Sequence, residues 1–194
     1  MCSKYTSRSL PIGNVSVFDI HILLNNQLNG PDISHAEGLI PKEFGQDAVE
    51  IPGSRALLDE LEEQGFPWCI VTSGTRPLVT GWLDVMKLAH PNKMVTAEDV
   101  QNGKPDPACY RLGETLLALK QPKASIVVFE DAPAGVRSGK AAGYTVVALH
   151  TTHKLEQLIE AGADYIVQDM RSVTLRSCDK TTGVSQLEIA NAFI

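Results

Sequence analysis

The sequence predicts an α/β fold, a mostly parallel sheet with helices on both faces. Short apolar runs rich in Val and Ile alternate with amphipathic stretches of helical period along most of the chain. Strand–helix–strand alternation at these lengths implies right-handed crossovers and a parallel sheet. A length of 194 residues allows one domain with a sizeable core. Hydrophobic residues at 43% and charged ones at 21% are those of an ordinary globular chain.

Taken in order, the strand runs are "NVSVFDI", "WCIVTS", "KMVTA", "SIVVFED", "YTVVAL" and "DYIVQD". Between them lie the helices. "GSRALLDELEEQG" sets Leu57, Leu58 and Leu61 on one face and closes with Gly65 as a C′ residue. "TRPLVTGWLDVMKL" begins at Thr75 with Pro77 in its first turn, and "DPACYRLGETLLALK" begins likewise at Asp106 and Pro107. "PAGVRSGKAAGY" is a helix of small residues, able to lie close to a sheet or a ligand, and "HKLEQLIEAGA" supplies one more. The tail around "DKTTG" reads as a C-terminal hairpin. Residues 22–50 read as an irregular insert in a single domain spanning 1–194, the least regular part of the chain.

A formal net charge of −6 argues against nucleic acid as a partner, since a binder of that kind shows a basic face. No apolar run approaches membrane-spanning length, and no secretory h-region follows "MCSKYTSRSLP". A cytoplasmic setting without membrane contact is therefore expected. Cys69 and Cys109 sit in apolar surroundings and read as reduced core thiols.

In an open parallel sheet, ligands bind beyond the carboxyl ends of the strands. Three strands finish there in polar groups: the first in Asp19, the second in Thr72 and Ser73, the fourth in Glu130 and Asp131. Lys104 stands in "NGKPDP", just before a helix. The chemistry suggested is phosphoryl transfer, with Asp19 as a carboxylate nucleophile. Asp19, Glu130 and Asp131 supply hard oxygens for Mg²⁺. Thr72, Ser73 and Gly74 offer a hydroxyl and backbone N–H groups to phosphate, and Lys104 neutralises charge as the bond breaks. Singly, each feature has an ordinary explanation: a strand-end turn, an N-cap, an exposed lysine. Their order along the chain carries the reading.

These motifs resemble those of the haloacid dehalogenase-like hydrolases, in particular the sugar-phosphatase branch that includes 2-deoxyglucose-6-phosphate and glycerol phosphatases. "IVTSGTR", "VQNGKPDP" and "VVFEDAPAGVRSGKAAG" carry the resemblance, which runs from about "EGLIPKEFG" to the end of the chain. It implies a three-layer Rossmann-like core, Asp19 as nucleophile and Thr72 as phosphate ligand. It also implies Lys104 as the charge-stabilising lysine and Glu130 with Asp131 as the acidic pair serving Mg²⁺.

Two departures qualify it. The first motif of the family reads Asp-x-Asp-Gly-Thr, whereas this chain reads "DIHIL", with His21 in place of the second acid. Imidazole, with a reference pKa of about 6.5, suits proton transfer in either direction. The family also inserts a helical cap after this motif. Only 33 positions separate Asp19 from Pro52. Four useful helices need about 40 helical residues plus turns. A vestigial cap over 22–50 and an open site are expected.

The sequence thus leaves rival readings. One is a Mg²⁺-dependent phosphatase of small phosphorylated metabolites with weakened or altered turnover. Another is a non-catalytic binder of a phosphorylated ligand or protein, with Ile22, Leu23 and Leu24 free to form a homodimer through the uncapped face. The third is a metal-independent hydrolase attacking carbon, as dehalogenases do.

Overall fold

The computed structural model describes residues 6–13, 15–18, 31–118, 126–179 and 184–194. Among them the six predicted apolar runs form one parallel sheet. The strands are β2 (Val15–Phe18), β3 (Trp68–Val71), β4 (Met94–Val95), β5 (Ile126–Glu130), β6 (Thr145–Leu149) and β7 (Tyr165–Val167), in the order β4-β3-β2-β5-β6-β7.

Alternation along these strands divides the core in two. Trp68, Ile70, Val127, Phe129 and Val147 face one cluster with Leu57, Leu61 and Leu83. Cys69, Val71, Val128, Val146 and Ile166 face the other with Tyr110, Val136 and Leu158. Helices α2 (Ser54–Glu63) and α3 (Arg76–Met86) therefore cover the first face. The second is covered by α4 (Ala108–Leu117), α5 (Pro133–Ala142) and α6 (Leu155–Glu160). Cys69 and Cys109 are buried free thiols, and burial pushes the Cys69 thiol up to about 12.

The helix boundaries follow the expected caps. Gly65 lies beyond α2 with a φ of 64°, in the left-handed region that favours glycine. Thr75 is the N-cap of α3, with a proline in the first turn. Asp106 Oδ1 accepts from the Ala108 N–H at 2.8 Å and so caps α4.

The C-terminal hairpin is present as β8 (Val173–Asp179) and β9 (Val184–Ala192), and it has a further partner. β1 (Thr6–Gly13) pairs antiparallel with β9, giving a small sheet in the order β1-β9-β8. Leu175, Leu187 and Ile189 of this sheet join the cluster of Leu57 and Leu61. Pro11 is tolerated because β1 is an edge strand.

Part of the insert read as irregular is also ordered. Residues 31–44 form α1 (Pro31–Phe44), which packs on α3. The interface is made of small residues. A Cβ added at Gly38 would lie 2.8 Å from Pro77 Cβ, one at Gly81 2.9 Å from Pro41 Cγ, and one at Gly45 2.4 Å from Val85 Cγ1. Matched in that order, the two helices run in the same direction. Glycine and an internal Pro41 break the apolar period that would have marked this helix.

In an unencumbered helix, replacing glycine by alanine gains about 1 kcal/mol. At Gly81 the added methyl meets a rigid proline ring, and overpacking costs about 1–3 kcal/mol. Gly81→Ala is expected to lower the melting temperature and Gly81→Val to lower it further. A stabilised Gly81→Ala protein would show that α1 does not press on α3.

Candidate active site

β2 stands between β3 and β5, with Phe18 level with Ile70 and with Phe129. From β2 the chain builds β3 and β4 on one side, then crosses to β5, β6 and β7 on the other. The carboxyl end of β2 is therefore the switch point of the sheet, where open α/β folds hold ligands. Asp19 follows Phe18 in sequence, and it lies with His21 and residues 22–24 outside the described residues. Thr72, Ser73, Gly74, Lys104, Glu130 and Asp131 are all described. Thr72 directly follows β3, and Asp131 directly follows β5.

Lys104 comes from the turn between β4 and α4 and is drawn into the sheet. Its side chain is 5% exposed and that of Glu130 is fully buried, with Lys104 Nζ 2.6 Å from Glu130 Oε1. Nζ also donates to the Val71 carbonyl at 3.1 Å. One ammonium thus touches the ends of β3 and β5, which places it beside the end of β2 that they flank. A buried lysine stays charged in such a place only with an anionic partner.

Glu130 is held on every side. The Tyr110 hydroxyl donates to the same Oε1, and the Tyr110 ring lies under Lys104 with Nζ 4.9 Å from its centroid. Oε2 accepts from the N–H groups of Asp131 and Ala132 at 3.2 and 3.3 Å. A Cβ at Gly135 would sit 1.7 Å from Glu130 Oε1, so only glycine leaves room for the carboxylate. Buried Ser138, one turn along α5, donates to the Asp106 carbonyl at 2.7 Å and anchors the turn that carries Lys104.

On the other side of β2, the turn 72–75 is fixed by a series of contacts. Thr72 is buried, and its Oγ1 accepts from the Gly74 N–H at 3.1 Å. Glu37 Oε2, from α1, accepts from Thr75 N–H at 3.2 Å and from Thr75 Oγ1 at 2.6 Å. The Glu98 carboxylate accepts from the Arg76 N–H at 3.1 and 3.3 Å. The Arg76 guanidinium meets Asp99 at 2.7 Å, so this arginine serves the protein's own acids. Burial works to raise the Asp99 pKa, but hydrogen bonds from Thr96 and the charge of Arg76 outweigh it and hold the carboxyl below its ordinary value.

Asp131 is buried at the opening, where Thr152 Oγ1 donates to its Oδ2 at 2.6 Å. His153 Nδ1 lies 3.1 Å from the Asp131 carbonyl oxygen and 3.0 Å from Thr152 Oγ1. Because a carbonyl only accepts, Nδ1 carries the proton in that bond. His150 instead lies edge-on to Phe193, with ring centroids 5.7 Å apart.

Glu37, Tyr110, Ser138, Gly135, Thr152 and His153 were not among the predicted site residues. Gly135 and Ser138 left a trace, in the small-residue character of their helix, and His153 in its place after the fifth predicted strand, near the crevice edge. The contacts of the others join elements far apart in sequence, and no local pattern announces them.

Comparison with known proteins agrees with this architecture. The family model described as "Haloacid dehalogenase-like hydrolase" matches residues 32–149. Glycerol-1-phosphate phosphohydrolase 1 of Saccharomyces cerevisiae is 37% identical over 163 residues, 80% of this chain and 64% of that protein. Hexitol phosphatase A of Escherichia coli is 42% identical over 125 residues, 64% of this chain and 56% of that protein. The chain thus spans less than two thirds of the length of these relatives. A crystal structure of a hydrolase from Pseudomonas syringae shares the fold at a TM-score of 0.67 and 21% identity, covering 81% of this chain and 94% of that one. The chain belongs to the haloacid dehalogenase-like hydrolases. No helix among the described residues is long and apolar enough to cross a membrane.

The buried ion pair sets a quantitative expectation. Breaking such a pair by removing one partner costs about 3–5 kcal/mol, whereas replacing both with uncharged groups is far milder. Lys104→Met and Glu130→Gln should each lower stability in denaturant unfolding, and the double variant should lose much less than their sum. Strict additivity would mean that the two groups do not depend on each other.

Proposed function

We propose that this member of the haloacid dehalogenase-like hydrolases is a phosphatase of small phosphorylated metabolites, acting through an aspartyl-phosphate on Asp19. The observation that carries the reading is the buried Lys104 ammonium beside the end of β2, the strand that leads directly into Asp19. The relatives named for action on glycerol-1-phosphate and hexitol phosphates support a sugar- or polyol-phosphate substrate class.

Asp19 attacks phosphorus while the bond to the leaving oxygen breaks, and His21 supplies the proton that oxygen needs. Lys104, the Thr72 hydroxyl and the Ser73 N–H hold the non-bridging oxygens as charge builds on them, the Gly74 N–H being directed to Thr72 Oγ1. Water then attacks the acyl phosphate, His21 takes its proton, and inorganic phosphate leaves with Asp19 regenerated.

Among the described residues no group of three acidic, histidine or cysteine side chains could hold a metal, so a hard cation would need Asp19 beside Asp131. Asp131 is a buried carboxylate directly after β5, and it and Asp19 would supply hard oxygens to Mg²⁺. Glu130 Oε1 faces Lys104 and Tyr110 while Oε2 faces two backbone N–H groups, so Glu130 would serve as the counter-ion that holds Lys104 rather than as a ligand of the ion. Bound Mg²⁺ would offset the repulsion between carboxylate and phosphate. The reading extends to a cytoplasmic protein.

A second reading has one feature in its favour. With His21 in place of a carboxylic acid, the site holds a phosphorylated ligand or a partner, such as a second copy through Ile22–Leu24, without turning over. Assay of a panel of small phosphate esters separates the two. Metal-dependent release of phosphate, abolished by EDTA and by Asp19→Asn, is the expected result. His21→Ala should reduce the rate by about 10²–10⁴-fold, the usual contribution of acid–base catalysis. Activity indifferent to both EDTA and Asp19→Asn would overturn the mechanism. Phosphate raising the melting temperature of a protein without turnover would establish the binding role instead.

A further inference from the structure

We propose that Glu37 is a positioning residue for the phosphate-binding turn, the point at which α1 sets the geometry of residues 72–75. The inference rests on the functional reading above and gives a task to the helix that remains between the first two strands of the core.

One carboxylate oxygen of half-buried Glu37 accepts from both Thr75 N–H, at 3.2 Å, and Thr75 Oγ1, at 2.6 Å. The two residues are 38 positions apart in sequence. The bonds hold the N-cap of α3 from outside, where a capping side chain of its own would otherwise act. A carboxylate is favoured there by the positive end of the helix.

The turn is thereby fixed step by step. The Gly74 N–H bonds Thr72 Oγ1, the Thr75 N–H bonds Glu37, and the Arg76 N–H bonds Glu98. With Thr75 and Arg76 N–H groups already directed to carboxylates, an anion in the crevice is met by Thr72 and Ser73 rather than by the helix terminus itself. Where those two groups stand depends on Thr75, two residues beyond Ser73.

α1 can deliver Glu37 to a fixed place because its packing on α3 is rigid. Gly38 lies against Pro77, immediately beside the capped turn, and Pro41 lies against Gly81 one helical turn further on. Glu37 is the residue before Gly38, midway along α1, where the helix passes the capped turn. Two effects of its carboxylate oppose each other. Its hydrogen bonds order the turn, which favours phosphate, while its charge repels phosphate. The geometry assigns the first as dominant, since both bonds end on Thr75, the N-cap of α3.

The test is calorimetric titration of inorganic phosphate into the full chain, its Glu37→Ala, Glu37→Gln and Thr75→Val variants, with melting temperatures recorded for each. Loss of the clamp should weaken phosphate binding about tenfold in Glu37→Ala, the scale of losing a charge-assisted hydrogen bond. Glu37→Gln should restore most of the affinity, because its amide oxygen can accept the same two bonds. With a turned-over ester, the loss in Glu37→Ala should fall on KM more than on kcat.

Phosphate affinity unchanged in Glu37→Ala, whatever its melting temperature, would reduce the contact to a structural one and overturn the proposal. Tighter binding in both Glu37→Ala and Glu37→Gln would overturn it too, by showing that charge repulsion dominates. If Glu37→Ala does not fold, Thr75→Val decides in its place: weakened phosphate supports the clamp, and unchanged affinity removes it. A parent chain that binds no phosphate would overturn the functional reading and this inference together. A parent chain that binds, with Glu37→Ala binding equally, would overturn this inference alone.

Discussion

The buried pair of Lys104 and Glu130 is the interaction on which the crevice depends. It ties the turn after β4 to the end of β5, across the position of β2. A lysine of 5% side-chain exposure would not remain there without its partner. The partner in turn needs Gly135, because any side chain at that position would occupy the space of the carboxylate. Tyr110 and Ser138 complete the arrangement from α4 and α5. A buried ammonium in an acidic chain is thus a property of several elements together.

The opposite wall is built by a different principle. On the β3 side, acidic side chains from elsewhere in the chain neutralise the first N–H groups of α3. Glu37 comes from α1 and Glu98 from the 3₁₀ turn after β4. The helix terminus is therefore a structural anchor here. The small-residue contact between α1 and α3 extends this anchor along two turns of helix. One wall supplies charge and the other supplies a fixed backbone, which is what the proposed phosphoryl chemistry asks of the site.

Much of this was legible in the sequence, for local reasons. The strands of the parallel sheet are continuous Val- and Ile-rich runs, α2 sets Leu57, Leu58 and Leu61 on one face, and α3 to α5 have a Pro at or next to their starts. Thr72 and Asp131 could be picked out because each follows a strand at the same end of the sheet, and Lys104 because it stands in the turn just before a helix. β1 escaped because its partner, β9, lies at the far end of the chain and its own sequence mixes Ser, Arg and Pro. α1 escaped because glycine and proline, which serve its close packing, are the residues that weaken a helical pattern. Tyr110 and Glu37 act through contacts 20 and 38 positions away, which periodicity does not record.

The most direct measurement of the central claim is a crystal structure of the full chain grown with inorganic phosphate. One anion is expected at the carboxyl end of β2, bonded to Thr72, the Ser73 N–H and Lys104 Nζ, with the Asp19 carboxylate facing phosphorus. Phosphate bound elsewhere, or a crevice in which Lys104 makes no approach to the anion, would contradict it.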